Sequence, residues 1–413
     1  MAKSPEYDAV IVGGRVAGGS LALLLAMQGR RVVVVDRDTF PSDTLSTHLI
    51  PAAFVPYLER LDVLDGLLAA GFKRLTRVRT WFGECAFEAP AAPGGGFALA
   101  PRRDVFDALV LERAAAAGAE VRTRTRAEGL LRDDDGTVVG VAVDGATGPS
   151  ELYGRVVVGA DGKASKVAAW VDAETYEAVP ALRPGYYGYF RGVTPLPEPT
   201  LELFFGNDTI GFLFPMRPNE DCLVLELQPD DFDAFRRDPA ARLLERFRRL
   251  PGMESRLAGA ELDGHVLGAR GVDNHFRAPF GAGWALTGDA AYLKDPSTGL
   301  GMSDALVQSF MLAEALGDWL DGGDWNATMA DYHEARDKAL MPLYRMTLDF
   351  TMQQDPPQEE LAVLAAMLSI PATARALAYA LPSHYADLLP AAAAARVRAA
   401  AAAFAAPAPT AVP

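Results

Sequence analysis

Short, unbroken apolar runs mark the first third of the chain. Ala9-Val-Ile-Val12 leads into a glycine turn and has the pattern of a strand buried on both faces. Ser20 to Gln28, rich in Leu and Ala and stopped by Gly29, predicts a helix, and Arg31-Val-Val-Val-Val-Asp36 predicts a second buried strand. Strand, glycine turn, helix and strand in that order predict a βαβ unit. Val105 to Ala117 reads as a helix ended by Gly118, and Glu120 to Arg126 as a strand. Asp133-Asp-Asp-Gly136 is a turn that joins Gly129-Leu-Leu131 to Val138–Val143 in a hairpin, and Arg155-Val-Val-Val-Gly159 is a third buried strand. From Tyr186 to Leu227 the pattern turns aromatic and alternating, which predicts an antiparallel sheet with one packed face. Trp284-Ala-Leu-Thr287 predicts a buried strand and Ser303 to Leu320 a long helix, and beyond Asp331 the chain is mostly helical. Ala391 to Ala406 is alanine at 12 of 16 positions and helix-prone by propensity alone; residues 407–413 are expected to form a disordered tail.

The 413 residues suffice for roughly two to three domains, and a chain half hydrophobic and 23% charged is globular. A net charge of −15, from 39 Lys+Arg against 54 Asp+Glu, argues against nucleic acid as a partner. The only cysteines are Cys85 and Cys222, and the five histidines (His48, His265, His275, His333, His384) lie far apart. No metal site, disulfide scaffold or iron–sulfur cluster is expected. No signal-peptide layout and no apolar run of about 20 residues is present, so no membrane span and a cytoplasmic location are expected. Any difficult chemistry carried by a chain so poor in Cys and His is expected to use a borrowed reagent.

Three segments carry that expectation. The turn Gly13-Gly-Arg-Val-Ala-Gly-Gly19 follows a strand and opens a helix, with Asp36 ending the next strand, where an acid accepts both ribose hydroxyls. Arg15 replaces the middle glycine of the usual fingerprint; its guanidinium either turns onto a pyrophosphate or ring edge or points to solvent. Val156-Val-Val-Gly-Ala-Asp-Gly-Lys-Ala-Ser165 puts Asp161 at a strand's carboxyl end, although Asp-Gly alone is a common turn. Gly288-Asp-Ala-Ala-Tyr-Leu-Lys-Asp-Pro-Ser-Thr-Gly-Leu-Gly-Met-Ser-Asp304 delivers glycines into a helix amino terminus, which aims N–H groups and partial positive charge at one point.

In this order the segments resemble the para-hydroxybenzoate hydroxylase type of FAD-dependent monooxygenase, a superfamily that includes geranylgeranyl reductases and flavin-dependent halogenases. The likeness covers roughly residues 7 to 345. It implies an α/β fold: a Rossmann-like FAD-binding domain with an inserted antiparallel β-sheet substrate domain and a C-terminal helical segment. The expected bounds are 1–75, 98–180 and 265–345 for the FAD-binding domain, 76–97 and 181–264 for the sheet domain, and 346–406 for the C-terminal helices. By this resemblance Gly13, Gly14, Ala17 and Gly18 face the FAD pyrophosphate, with Arg15 beside them, and Asp36 and Arg37 lie at the adenosine ribose. Arg103 contacts the cofactor's linker, Ala127 lies beside adenine, and Asp161, Gly288 and Asp289 line the ribityl–pyrophosphate region. Pro296 covers the flavin, while Gly299, Leu300, Gly301 and Met302 bring N–H groups to its pyrimidine end. Phe40-Pro-Ser-Asp-Thr-Leu-Ser-Thr-His-Leu49 is similar to a subgroup that also carries Gly-Gly-Arg at the first turn, and puts Ser46, Thr47 and His48 beside the flavin.

The resemblance implies hydroxylation or epoxidation of an apolar or aromatic small molecule, in secondary metabolism, with NADPH or NADH as reductant and a flavin hydroperoxide as oxidant. His48 is the candidate acid/base or substrate hydrogen-bond donor, against the plainer reading of a histidine that satisfies backbone. Tyr187, Tyr189, Phe205, Phe212 and Phe214 either roof the substrate pocket or form that domain's core; on alternating strand positions they are not expected to share one side. The family's arginine two residues after Lys166 is here Ala168, which weakens direct reduction by NAD(P)H and gives weight to a separate flavin reductase. A tryptophan-halogenase motif is absent from the sequence. C=C reduction of the geranylgeranyl reductase type and a flavin-bound non-redox cyclase or binding protein are the alternatives, and a homodimer surface on the late helices is left open.

Overall fold

The computed structural model describes residues 4–92, 95–206 and 209–352. The alanine-rich segment, the tail and His384 lie outside the described residues.

The chain begins with β1 (Tyr7–Val12), α1 (Val16–Met27) and β2 (Val32–Val35). The tetravaline strand is buried at every position, as expected of a central strand flanked by two layers. Two short helices, α2 (Val55–Arg60) and α3 (Leu64–Ala69), precede the hairpin β3 (Arg77–Phe82) and β4 (Cys85–Pro90). Then α4 (Arg103–Ala116) and β5 (Glu120–Arg122) return the chain to the first sheet, and β6 (Arg126–Arg132), β7 (Val138–Gly145) and β8 (Gly148–Gly159) extend it. The helix α4 starts two residues before its apolar run, so that Arg103 falls in its first turn.

The first sheet has eight strands. β5, β2, β1 and β8 lie side by side and parallel, and the late strand Trp284–Leu286 joins β8 in parallel on the other flank. β8 is longer than its apolar run: its first half pairs antiparallel with β7, its second half parallel with β1. After the short α5 (Lys166–Trp170) and β9 (Thr175–Val179), the chain enters a second sheet of seven strands. It contains β10 (Gly185–Arg191), β11 (Thr200–Gly206), β12 (Thr209–Arg217), β13 (Glu220–Glu226) and β14 (Glu261–Ala269), in the order β14-β10-β13-β12-β11-β3-β4. Only β11 and β3 pair in parallel. β14 runs through residue 269 and so crosses the expected domain boundary at 264/265.

The second sheet has two distinct faces. Tyr186, Phe190, Phe204, Leu213, Leu223 and Leu225 pack together with Leu243 and Phe247 of the helix Pro239–Arg248. The opposite face joins the main core, which also contains α1, Leu49 and Leu300. The last described elements are the helices Gly301–Leu320 and Trp325–Met352; the former begins two residues before Ser303 and packs on α1. Among the described residues no helix is long and apolar enough to cross a membrane.

Candidate active site

The glycine turn is built backbone on backbone. Gly13 has φ +104°, and a Cβ on it would lie 2.4 Å from the Ala160 carbonyl oxygen; a Cβ on Gly18 would lie 1.8 Å from that of Gly13. No side chain larger than hydrogen fits at either position. A Cβ on Gly288 would come 2.6 Å from that of Ala17, so the turn carrying Asp289 lies against the first turn of α1. The N-termini of α1 and of the helix Gly301–Leu320 have no side-chain cap. Both ends therefore present N–H groups without intrahelical partners, as anion and electron-rich ring edges require. Gly299 has φ +69° and lies against Leu49, the residue after His48. The Gly299–Met302 segment and the His48 segment thus meet. Leu300 and Met302 are buried, Gly301 is exposed, and Pro296 is half-buried.

Asp36 accepts hydrogen bonds from the backbone N–H groups of Gly14 (2.7 Å) and Asp38 (2.8 Å). Burial raises its pKa from the ordinary carboxylate value although both bonds oppose the rise. Arg37 is exposed. Ala127 is the second residue of β6, two positions after Thr125, whose N–H donates to the Asp36 carbonyl, so the start of β6 is tied to the end of β2. Asp289, partly buried, has its pKa pushed up to about 6, by desolvation first. Asp161 is used locally: it accepts from Ser165 Oγ (2.5 Å) and the Lys166 N–H (2.6 Å), which caps α5.

Arg15 is held by partners that were not singled out from sequence. Its guanidinium donates to Asp107 (3.1 Å), Asp38 (3.0 Å) and the Ser42 carbonyl and hydroxyl (3.2 Å each). Asp107 is fully buried and also accepts two bonds from Arg103, at 2.9 and 3.0 Å. Arg15 thereby fastens the 38–43 segment to α4.

His48 is fully buried and has φ +59°. Its Nδ1 is 3.3 Å from the Pro101 carbonyl oxygen and its Nε2 3.2 Å from the Tyr189 hydroxyl. Desolvation first, then Arg103 and Arg102, push its pKa down to about 3, against the Pro101 carbonyl. The ring is therefore neutral. A carbonyl oxygen can only accept, so the single N–H sits on Nδ1 and Nε2 is an acceptor. A neutral His48 held in this way offers no donor at Nε2; the O–H of Tyr189 supplies one. The same O–H is 3.2 Å from Asp43 Oδ2, so two acceptors face one proton. The Arg102 guanidinium lies over the Tyr189 ring at 4.0 Å and 3.6 Å from Asp43. Tyr187 donates to the Thr44 carbonyl (3.1 Å), and Ser46 Oγ accepts from the His48 N–H. Thr47 shapes the turn by accepting the Leu49 N–H at 2.7 Å.

The aromatic residues correct one expectation. Tyr187 and Tyr189 pair across from Val224 and Cys222, and so do Phe212 and Phe214. Phe205 pairs with Ile210. Each pair of aromatic residues is spaced by two within its own strand, and register aligns them; all five point to the main-core side, Phe205 partly buried and the others buried. Asp43, Arg102 and Asp107 were not singled out from sequence, although Asp43 lies within the Phe40–Leu49 motif and Arg102 is next to Arg103.

The glycine approach, the two uncapped helix ends and the acid at Asp36 fit a dinucleotide, the class of cofactor that flavin-dependent oxidoreductases bind. The family described as FAD binding domain matches residues 6–249, more than half of the chain, and the protein belongs to it. It is 26% identical over 322 residues to the digeranylgeranylglycerophospholipid reductase of Methanosarcina acetivorans, covering 77% of each chain. Among solved structures it is similar to a flavin-dependent brominase (TM-score 0.79, 18% identity, 95% of this chain and 98% of that one). It is also similar to an aklavinone-11 hydroxylase in a ternary complex with FAD and aklavinone (TM-score 0.71, 21% identity, 84% and 69%). These two share the fold.

Proposed function

We propose that the protein is a monooxygenase that hydroxylates or epoxidises an apolar or aromatic small molecule, with NADH or NADPH and O2 as co-substrates. For hydroxylation the balance is R–H + O2 + NAD(P)H + H⁺ giving R–OH + H2O + NAD(P)⁺. The observation that carries this reading is the Tyr189–His48 pair, buried where the aromatic face of the second sheet meets the Gly299 segment. Bound FAD supplies the two-electron redox chemistry.

The residues of the chain position and shield. Gly13, Gly14, Ala17 and Gly18 would hold the pyrophosphate, Asp36 the ribose, and Arg103, Gly288 and Asp289 the linker. The N-terminus at Gly299–Met302 would favour negative charge on the ring. Phe205, Phe212 and Phe214 provide an apolar wall that excludes water. Tyr189 holds a proton on its hydroxyl oxygen between His48 Nε2 and Asp43 Oδ2, and His48 serves as its acceptor.

The test begins with the absorbance of the purified protein. Bands near ~370 and ~450 nm are expected of oxidised flavin. Bleaching by NADH or NADPH would establish direct reduction; no bleaching without an added flavin reductase would assign that partner. Replacing His48 with Ala should slow substrate oxidation while FAD stays bound, and full turnover in H48A would remove the role. The similarity to a geranylgeranyl-lipid reductase supports a second reading, reduction of an isolated C=C bond, which would proceed without O2.

A further inference from the structure

Along β13, Cys222, Val224 and Glu226 project to one face, while Leu223 and Leu225 project to the other. Cys222 and Val224 belong to the apolar wall behind Tyr187, Tyr189, Phe212 and Phe214, and Glu226 continues that row. It is 1% exposed, and among the described residues neither of its carboxylate oxygens has a hydrogen-bond donor. An ionised carboxylate so placed is costly. Its registered neighbours, Gly185 on β10 and Ile210 on β12, carry no charge. The ionisable groups that face it are Asp295 and Arg183.

Asp295 is fully buried and directly precedes Pro296. Its Oδ1 accepts the Ser297 N–H (3.0 Å) and so caps the turn Pro296–Thr298 that leads to Gly299. Its own N–H donates to Asn274 Oδ1 at 2.5 Å, and Thr351 Oγ1 lies 3.4 Å from Oδ1. Among the described residues Oδ2 has no hydrogen-bond donor and remains for Glu226. Thr351 in turn meets Ser297 Oγ (2.5 Å) and gives its carbonyl to Arg183 Nε (3.1 Å). The second sheet, the 181–184 segment, the last helix and the turn before Gly299 therefore join at two carboxyl groups.

We propose that Glu226 is a positioning residue for the Pro296–Met302 loop: its carboxyl and that of Asp295 share one proton, which latches the substrate sheet to that loop. One proton leaves one negative charge to face Arg183, whereas two carboxylates would leave the second uncompensated. Burial and mutual repulsion raise the Glu226 pKa well above the carboxylate range, and burial raises that of Asp295, which fits a shared proton. Both shifts are upward, so the latch is intact at low pH and is lost as pH rises through the raised pKa. The inference rests on FAD binding alone and is independent of the oxygen chemistry proposed above.

The test is FAD affinity of the full chain against pH, read by flavin fluorescence during titration of the apoprotein. Wild type should lose affinity on the alkaline side by up to about tenfold per pH unit, the limit for one linked proton. E226Q, whose amide donates to Asp295 at any pH, should bind FAD as wild type does on the acid side of the limb and lack the alkaline limb. E226A should bind more weakly throughout. D295N, which can donate to Glu226 while its oxygen still caps Ser297, is the second latch variant and should also lack the limb; it decides the matter if E226Q does not fold. An alkaline limb in E226Q or D295N equal to that of wild type, or unchanged affinity in E226A, would overturn the proposal.

Discussion

Replacement of Arg15 by Ala isolates a contact made in the glycine turn itself. The guanidinium bridges a fully buried carboxylate, Asp107, and a carboxylate 40% exposed, Asp38, and also holds the Ser42 backbone. A hydrogen bond to a buried charged group contributes about 1.5–3 kcal/mol. The Asp38 pair, screened by water, adds less than about 1 kcal/mol. Asp107 keeps both bonds from Arg103, so no carboxylate is stranded. The expected loss is about 2–3 kcal/mol, concentrated in residues 38–48. Native-state amide exchange should show roughly 30- to 150-fold faster opening of that segment, while the adjoining Val32–Val35 strand, paired on both sides within the first sheet, stays protected. An R15A/D107N double-mutant cycle should give a coupling of about 1–3 kcal/mol. R15G, which restores the usual glycine, should open the segment in the same way. Equal protection of residues 38–48 in R15A and wild type would refute the tether. A collapse of FAD affinity with that protection intact would instead return Arg15 to the pyrophosphate.

Other outcomes follow from the same geometry. G18A should purify colourless, because its Cβ would fall 1.8 Å from the Gly13 carbonyl oxygen; a normal ratio of flavin to protein absorbance would contradict this. His48 has a folded pKa of about 3 against an unfolded value near 6.5, so the stability it confers is present above about 6.5 and lost as pH falls toward 3. In urea melts over that window, H48Q should show a pH slope shallower by up to one proton. Y189F removes the hydroxyl that faces both His48 Nε2 and Asp43, at a cost of about 1–3 kcal/mol. It should lower turnover with FAD retained, and unchanged kcat would detach Tyr189 from the reaction.

The βαβ unit, the hairpin and the aromatic sheet were legible because local periodicity and turn residues encode them. Asp36, Gly13 and Gly18 were legible because their spacing is local to that unit. Arg15 was visible as an anomaly but its partner was not: Asp107 lies 92 residues away, and only the packing of α4 on α1 brings them together. Helix ends shifted for a related reason, since Arg103 and Gly301 enter their helices through contacts that an apolar run does not record. Glu226 stayed hidden because one charged residue in Cys222-Leu-Val-Leu-Glu-Leu227 reads as a strand end, whereas its burial depends on Asp295, 69 positions on. The shared side of the five aromatic residues followed from strand register, which no single strand contains.

The second sheet is a single layer with packed side chains on both faces. Phe212 and Phe214 face the main core, and the residue between them, Leu213, packs on the opposite side with Leu243 and Phe247. A change of volume at Leu213 or Leu223 must displace the strand that carries the opposite row. On the proposed reading, in which Phe212 and Phe214 wall the substrate pocket, substrate preference is adjustable from behind, by residues on the opposite face of the sheet. A library confined to the rear face, screened for altered substrate range, would sample pocket shapes while leaving every cofactor contact untouched.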